Sequence, residues 1–212
     1  MNYVKRRGFV AVAAVLAIFA SAPAYADPDE TPPPEQMIAV SIVSANGSGC
    51  KAGTYDVDVL PDNTGFRANF HTFRAEVGGN SSPIEFRKNC QLNFRIDVPL
   101  GYTYAIFRTD SRGTRDIATG ARALERANYY YAGSLASQWS SHSFTGPAND
   151  DWETIDIIDP MSRVWVPCKE MRQLNANTEL RVTRETSDPA AISSVTLKSK
   201  TYRIGWRRCP TV

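Results

Sequence analysis

An all-β fold is what this sequence predicts: a single-domain antiparallel β-sandwich, or a related jelly roll, stapled by disulfides. Three observations carry that expectation. Apolar and polar residues alternate with period two along most of the chain, and the clearest run is Cys90, Leu92, Phe94, Ile96 and Val98 set against Gln91, Asn93, Arg95 and Asp97. Turn-forming clusters recur at short intervals, among them Pro61-Asp62-Asn63-Thr64-Gly65, Gly78-Gly79-Asn80-Ser81-Ser82-Pro83, Gly146-Pro147 and Ser187-Asp188-Pro189. The four cysteines stand in a chain that begins with an export signal, so they are expected to oxidise.

Taken in order, residues 1–26 read as a secretory signal peptide. Lys5, Arg6 and Arg7 precede an apolar run from Gly8 to Ala20, and Ala24-Tyr25-Ala26 is a small-residue cleavage site. The apolar run is shorter than the ~20 residues a spanning helix needs, so stable membrane insertion after cleavage is not expected. Residues 27–36 are acidic and proline-rich, with Pro32-Pro33-Pro34 unfit for a helix or a central strand. They read as an extended tether. Residues 37–212 form the single β-sandwich domain. Its strands are expected at 38–43, 54–60, 66–77, 90–98, 102–109, 128–132, 154–158, 163–166, 179–183, 192–197 and 202–206. Pro99-Leu100-Gly101 reads as a turn joining 90–98 and 102–109 in a hairpin. The one segment that competes as a helix is 118–127 (ATGARALERA), rich in helix formers but interrupted by glycine and barely three turns long.

Composition narrows the function. The signal holds three of the 24 basic residues and none of the 22 acidic ones. The remaining chain carries 21 basic against 22 acidic residues, a net charge of −1. No basic run interleaved with aromatics remains, so nucleic acid is not an expected partner. Cys50, Cys90, Cys168 and Cys209 include no C-x-x-C pair and no histidine at zinc-finger spacing, so neither a metal nor another cofactor is expected. Two disulfides are expected instead. Three pairings are open to four cysteines, and the most local, Cys50–Cys90 with Cys168–Cys209, is favoured on loop-closure grounds. In the chain-entropy model each such loop of about 40 residues restricts the unfolded state by up to ~4 kcal/mol.

Several segments are similar to successive blocks of a known family. They are Ser48-Gly49-Cys50-Lys51-Ala52-Gly53-Thr54, Arg87-Lys88-Asn89-Cys90-Gln91-Leu92, Tyr129-Tyr130-Tyr131-Ala132-Gly133 and Phe144-Thr145-Gly146-Pro147. Val164-Trp165-Val166-Pro167-Cys168, Leu174-Asn175-Ala176-Asn177-Thr178 and the closing Trp206-Arg207-Arg208-Cys209 complete the set. In these blocks the chain resembles the secreted domain-of-unknown-function family numbered 4360, found in bacteria and fungi. The resemblance implies a small exported protein with four framework cysteines, and it supplies no catalytic residues to carry over.

Constellations for catalysis are sparse, and no catalytic residue is assigned. Nucleophilic catalysis needs a base in reach of the nucleophile, and only His71 and His142 exist; no G-x-S-x-G elbow occurs. Both histidines read as ordinary strand residues. Asp56, Asp58 and Asp62 begin like a calcium loop, but Pro61 and Arg67 occupy its glycine and glutamate positions. The densest acidic cluster is Asp150, Asp151, Glu153, Asp156 and Asp159, which a secreted hydrolase could use as an acid/base pair. Aromatic residues beside polar turns, Tyr129, Tyr131, Trp139 and Trp152, with Asp151, are the candidate binding residues, because sugars stack on exposed rings. Trp165 and Trp206 are expected to pack near the disulfides. Asn46-Gly47-Ser48 and Asn80-Ser81-Ser82 match the glycosylation sequon. A non-catalytic extracellular binding module is therefore the leading expectation, monomeric, with a cell-wall glycan or an extracellular protein as its partner. A hydrolase and a structural envelope or surface protein are the alternatives. The expected place of work is outside the cell, in the periplasm or at the cell surface if the source is Gram-negative.

Overall fold

The computed structural model describes residues 30–210; the expected signal peptide and the first residues of the tether lie outside the described residues. Eleven strands and one short 3₁₀ turn follow one another: β1 (Ala39–Asn46), β2 (Tyr55–Val59), β3 (Gly65–Phe70), β4 (Arg74–Val77), β5 (Arg87–Asp97), β6 (Tyr102–Ile117), β7 (Arg122–Tyr131), β8 (Gln138–Thr145), β9 (Ala148–Ile157), the 3₁₀ turn Pro160–Ser162, β10 (Leu174–Thr183) and β11 (Ser193–Arg208). They form two antiparallel sheets. One has five strands in the order β1-β5-β10-β7-β8; the other has six in the order β2-β3-β11-β6-β9, with β4 also paired to β11. The sandwich expectation holds. Among the described residues no helix is long and apolar enough to cross a membrane.

The alternation read from the sequence decides which side of each strand is core. Cys90, Leu92, Phe94 and Ile96 of β5 are buried, as are Leu174, Ala176, Leu180 and Val182 of β10. They meet Phe66 and Ala68 of β3 and Val195, Leu197, Tyr202, Ile204 and Trp206 of β11 from the opposite sheet. Phe66 stacks on Tyr202 at 5.0 Å between ring centroids, and Phe94 meets both rings. Burial of these apolar surfaces is the main force joining the sheets.

Among the described residues, the interior contains one fully buried ion pair. Lys200 of β11 and Glu125 of β7 are 1% and 0% exposed, with Nζ 3.1 Å from Oε1. Lys200 also donates to Ser111 Oγ of β6 at 2.8 Å. The pair therefore bridges the two sheets through the core.

The structure corrects several details. The 90–98 and 102–109 segments are not a hairpin: β5 lies in the five-stranded sheet and β6 in the six-stranded one. Both have an apolar face, and those faces meet across the core, so Pro99-Leu100-Gly101 carries the chain from one sheet to the other. The helix competitor is β7 over most of its length, paired with β10 and β8. The single strand expected over 66–77 breaks at residues 71–73 into β3 and β4, and 163–166 is not a strand. Residues 30–38 do not stand clear of the domain. Thr31 bridges to Trp206, and Asn63 clamps the segment by donating to Pro34 O and Gln36 O and accepting from Ile38 N.

Both disulfides form in the favoured pairing, Cys50–Cys90 and Cys168–Cys209. The first is buried and ties the loop after β1 to β5; the second is half-buried and ties the end of β11 to the loop before β10. Trp206 is buried against Tyr102 and Tyr104, while Trp165 lies under the Arg207 guanidinium at 3.9 Å.

Candidate functional site

The outer face of the five-stranded sheet presents a surface made largely of side-chain amides. Because side chains alternate along a strand, burying Leu92 and Phe94 turns Asn89, Gln91 and Asn93 of β5 outward, and burying Leu174 and Ala176 turns out Asn175 and Asn177 of β10. The register aligns them. Asn46, Gln91, Asn177, Asn128 and Trp139 are successive partners across β1, β5, β10, β7 and β8. One residue row away, Asn93 and Asn175 are partners and share a hydrogen bond of 2.9 Å, and Tyr130 stands opposite Asn175.

Trp139 closes the amide row at the sheet edge. The residue is 68% exposed, and its Nε1 donates to Ser137 Oγ at 3.1 Å. Between Trp139 and β5 lies a shallow cleft of about 270 Å³, lined by Asn89, Gln91, Asn128, Asn177, Arg87, Arg126 and Glu179.

Glu179 is the charged centre of this face. It is 8% exposed at its side chain and accepts from three arginines: Arg87 and Arg181 closely, Arg126 at 3.4 Å. Burial alone would raise its pKa. The Arg87 hydrogen bond and the charges of Arg181, Arg87 and Arg126 outweigh that and hold the carboxyl below its ordinary range. Glu179 is therefore an anion at neutral pH and a poor proton donor.

The five binding residues expected from sequence are not brought together. Tyr129 and Tyr131 point inward and are 6% and 4% exposed; Tyr129 packs on Tyr202 and Tyr131 on Tyr104. Burial pushes both phenols above their ordinary pKa. Trp152 is 5% exposed, packed on Phe144, and its Nε1 donates to Thr114 O. The indole covers Gly113, where any Cβ would collide with it. A ring must be open to solvent to stack on a ligand, so Tyr129, Tyr131 and Trp152 cannot serve as a platform in this fold. Asp151 is exposed but lies on the outer face of the other sheet, paired with Lys198 at 3.2 Å. Trp139 alone keeps the required geometry, joined by Tyr130 on the same face.

Each member of the acidic cluster has its own partner. Asp150 accepts twice from Arg115, which lowers its pKa, Glu153 pairs with Arg112, and Asp159 caps the 3₁₀ turn. Asp116, Asp150 and Asp151 do share an open hollow of about 420 Å³. A hydrolytic acid needs a raised pKa, and the shift at Asp150 runs the other way. Asp156 turns inward to His142 Nε2 at 2.9 Å, and Ser140 shares that face two residues from the histidine. Ser140 Oγ is buried and has no hydrogen-bond partner among the described residues, so the serine–histidine step is missing. His71 is an exposed residue bonded to Asp56, whose neighbour Asp58 shares Asn69 with it.

Sequence reasoning missed the amides and the Glu179 cluster. A signal existed: the polar phases of 87–95 and 175–181 hold asparagine, glutamine and arginine almost throughout. What it lacked was the pairing of β5 with β10, which puts two distant phases side by side.

The comparisons agree with the blocks read from sequence. A curated protein from Arthroderma benhamiae, described as an uncharacterized secreted protein, is 28% identical over 182 residues, covering 84% of this chain and 74% of that protein. No solved structure matches. The family model described as "Domain of unknown function (DUF4360)" matches residues 36–209, nearly the whole described chain, and the protein belongs to that family.

Proposed function

We propose that this is a non-catalytic extracellular module that binds glycan on the outer face of its five-stranded sheet. The two disulfides and the secreted relative suggest an extracellular protein. The observation that supports the binding reading is the exposed Trp139, hydrogen-bonded to Ser137 at the end of a row of amides. A planar ring offers its face to the apolar side of a sugar. Amides both donate and accept, which matches hydroxyl groups. Strands lie ~4.8 Å apart, so the amides repeat at close to the length of one sugar residue across the sheet. The rigid sheet holds them in place, so little ordering is needed when a chain lies down.

The test is a binding screen of the exported chain on insoluble cell-wall polysaccharides and soluble glycans, with Trp139→Ala beside the wild type. Loss of a central aromatic anchor costs roughly 2 kcal/mol of binding. The melting temperature should stay within a degree or two, because the ring is outside the core. Undiminished binding by Trp139→Ala would remove this face as the site. Absence of binding to every glycan would leave an extracellular protein as the partner to seek.

A further inference from the structure

The cleft beside Trp139 opens onto a cluster at Glu179 that carries more positive charge than its own residues balance. Arg87, Arg126 and Arg181 surround one carboxylate, Glu179. Each guanidinium has five N–H donors, and a carboxylate has room for about four. Arg181 Nε is buried and has no hydrogen-bond partner among the described residues, while the side chain as a whole is 39% exposed. Arg126 reaches Glu179 only at 3.4 Å, and its side chain is 44% exposed. The chain outside the signal has a net charge of −1, so this excess is local and no product of a generally basic surface.

Resting on the glycan reading above, we propose that the ligand is an acidic polysaccharide, with a uronate carboxylate seated on Arg126 and Arg181 while a sugar ring stacks on Trp139. The register supplies the spacing. Trp139 is the partner of Asn128, and Arg126 lies two residues along the same strand on the same face. Two residues of strand span about 7 Å and the step to the neighbouring strand adds ~4.8 Å sideways, so Arg126 starts roughly 8 Å from Trp139, within reach of a carboxylate on the sugar next to the stacked one. Arginine suits the task because its planar fork takes a carboxylate through two parallel hydrogen bonds. Glu179 holds the three arginines splayed at the sheet surface, which lowers the ordering needed on binding, and it leaves a surplus of two positive charges for the incoming anion.

The experiment compares one polymer in two states: polygalacturonate, and the same polymer with its carboxyl groups reduced to alcohols. Wild type, Arg126→Gln, Arg181→Gln and Trp139→Ala are titrated with both, and melting curves confirm that each variant is folded. Arg126→Gln removes the weakest of the three ion pairs, so it keeps the test valid if Arg181→Gln is unstable. The expected result is binding to the acidic polymer that weakens at least tenfold on carboxyl reduction and falls with added salt. Arg126→Gln should lose that preference while retaining the residual neutral binding, and Trp139→Ala should weaken both. Equal binding to both polymers, or preference for the reduced one, overturns the acidic assignment and leaves the glycan reading standing. A folded protein that binds neither polymer but binds a neutral glycan does the same. A folded protein that binds no glycan of any kind overturns both.

Discussion

The two outer faces of the sandwich are made from similar residues and arranged to opposite ends. On the six-stranded sheet, Arg112 pairs with Glu153 and Lys198 with Asp151, while Arg108 and Arg203 share Asp110. Asn69 fills the gap between Asp56 and Asp58. Most of these side chains are well exposed, and most of these charges have an opposite beside them. On the five-stranded sheet one nearly buried carboxylate serves three arginines, and amides take the place of charges along the rows beyond it. The first surface is complete in itself and interacts with water. The second leaves the amides of Asn46, Gln91 and Asn177 aligned, with Asn128 beside them buried and donating to Gln138 O, and an indole standing in solvent. That difference, more than any count of aromatics, marks the five-stranded face as the one shaped for a ligand.

Stability measurements can break the contrast. The reference for the largest effect lies between the faces. Glu125→Ala leaves Lys200 without its carboxylate in a dry core, and removing one partner of a fully buried pair costs about 3–5 kcal/mol. Glu179→Ala is the next largest. Its arginines are partly hydrated, which moderates the loss to roughly 2 kcal/mol, but three guanidiniums would then repel one another at the sheet surface. Urea unfolding of the exported chain measures both. A Glu179→Ala midpoint equal to wild type would make this cluster no different from the ion pairs opposite.

Acid sharpens the same comparison. The Glu179 carboxyl has a folded pKa below its usual 4.5, so its contribution is fully present above that value and is lost as pH falls through the folded pKa. Asp150 is also lowered, by its hydrogen bond to Arg115, but it is solvent-exposed and screened. Glu179→Gln should therefore flatten the fall in melting temperature below about pH 4.5, and high salt should leave the wild-type fall in place. Asp150→Asn should change the acid limb little, and less still in salt. An acid limb unaltered by Glu179→Gln would deny the cluster its stabilising role.

How much of this was legible in the sequence follows from how local each signal is. Period-two runs such as 90–98 gave the strands and their inner faces, because alternation is a property of one strand alone. The disulfide pairing followed from loop length. Sheet membership did not, since the turn at Pro99–Gly101 looks the same whether it closes a hairpin or crosses between sheets. β7 is the instructive case. Its inward phase is Ala123, Glu125, Ala127, Tyr129 and Tyr131, and a glutamate in an apolar phase breaks the pattern that would have identified a strand. The partner that makes Glu125 tolerable, Lys200, is 75 residues away. With its first half open to a helix reading and only 128–132 legible as strand, nothing local said that Tyr130, in phase with Arg126 and Asn128, was the outward ring and its neighbours the core. The amide face needed two such strands placed side by side, which is tertiary information.

The smallest effect belongs to the six-stranded face, and its smallness is the point. Asp151 is 81% exposed at its side chain and meets Lys198 at 3.2 Å, a pair between mobile, hydrated groups. Such pairs contribute little because Coulomb attraction in water is weak and ordering two long side chains offsets it. Asp151→Asn should shift stability by no more than ~0.5 kcal/mol. The same substitution should leave glycan binding unchanged, because Asp151 and Trp139 lie on opposite outer faces of the sandwich. A matched pair of titrations, Asp151→Asn against Trp139→Ala on the polymer that wild type binds best, then separates the faces with two proteins of equal stability. If Asp151→Asn weakens binding as much as Trp139→Ala does, the ligand contacts the charge-balanced face as well, and the five-stranded sheet loses its claim to be the site.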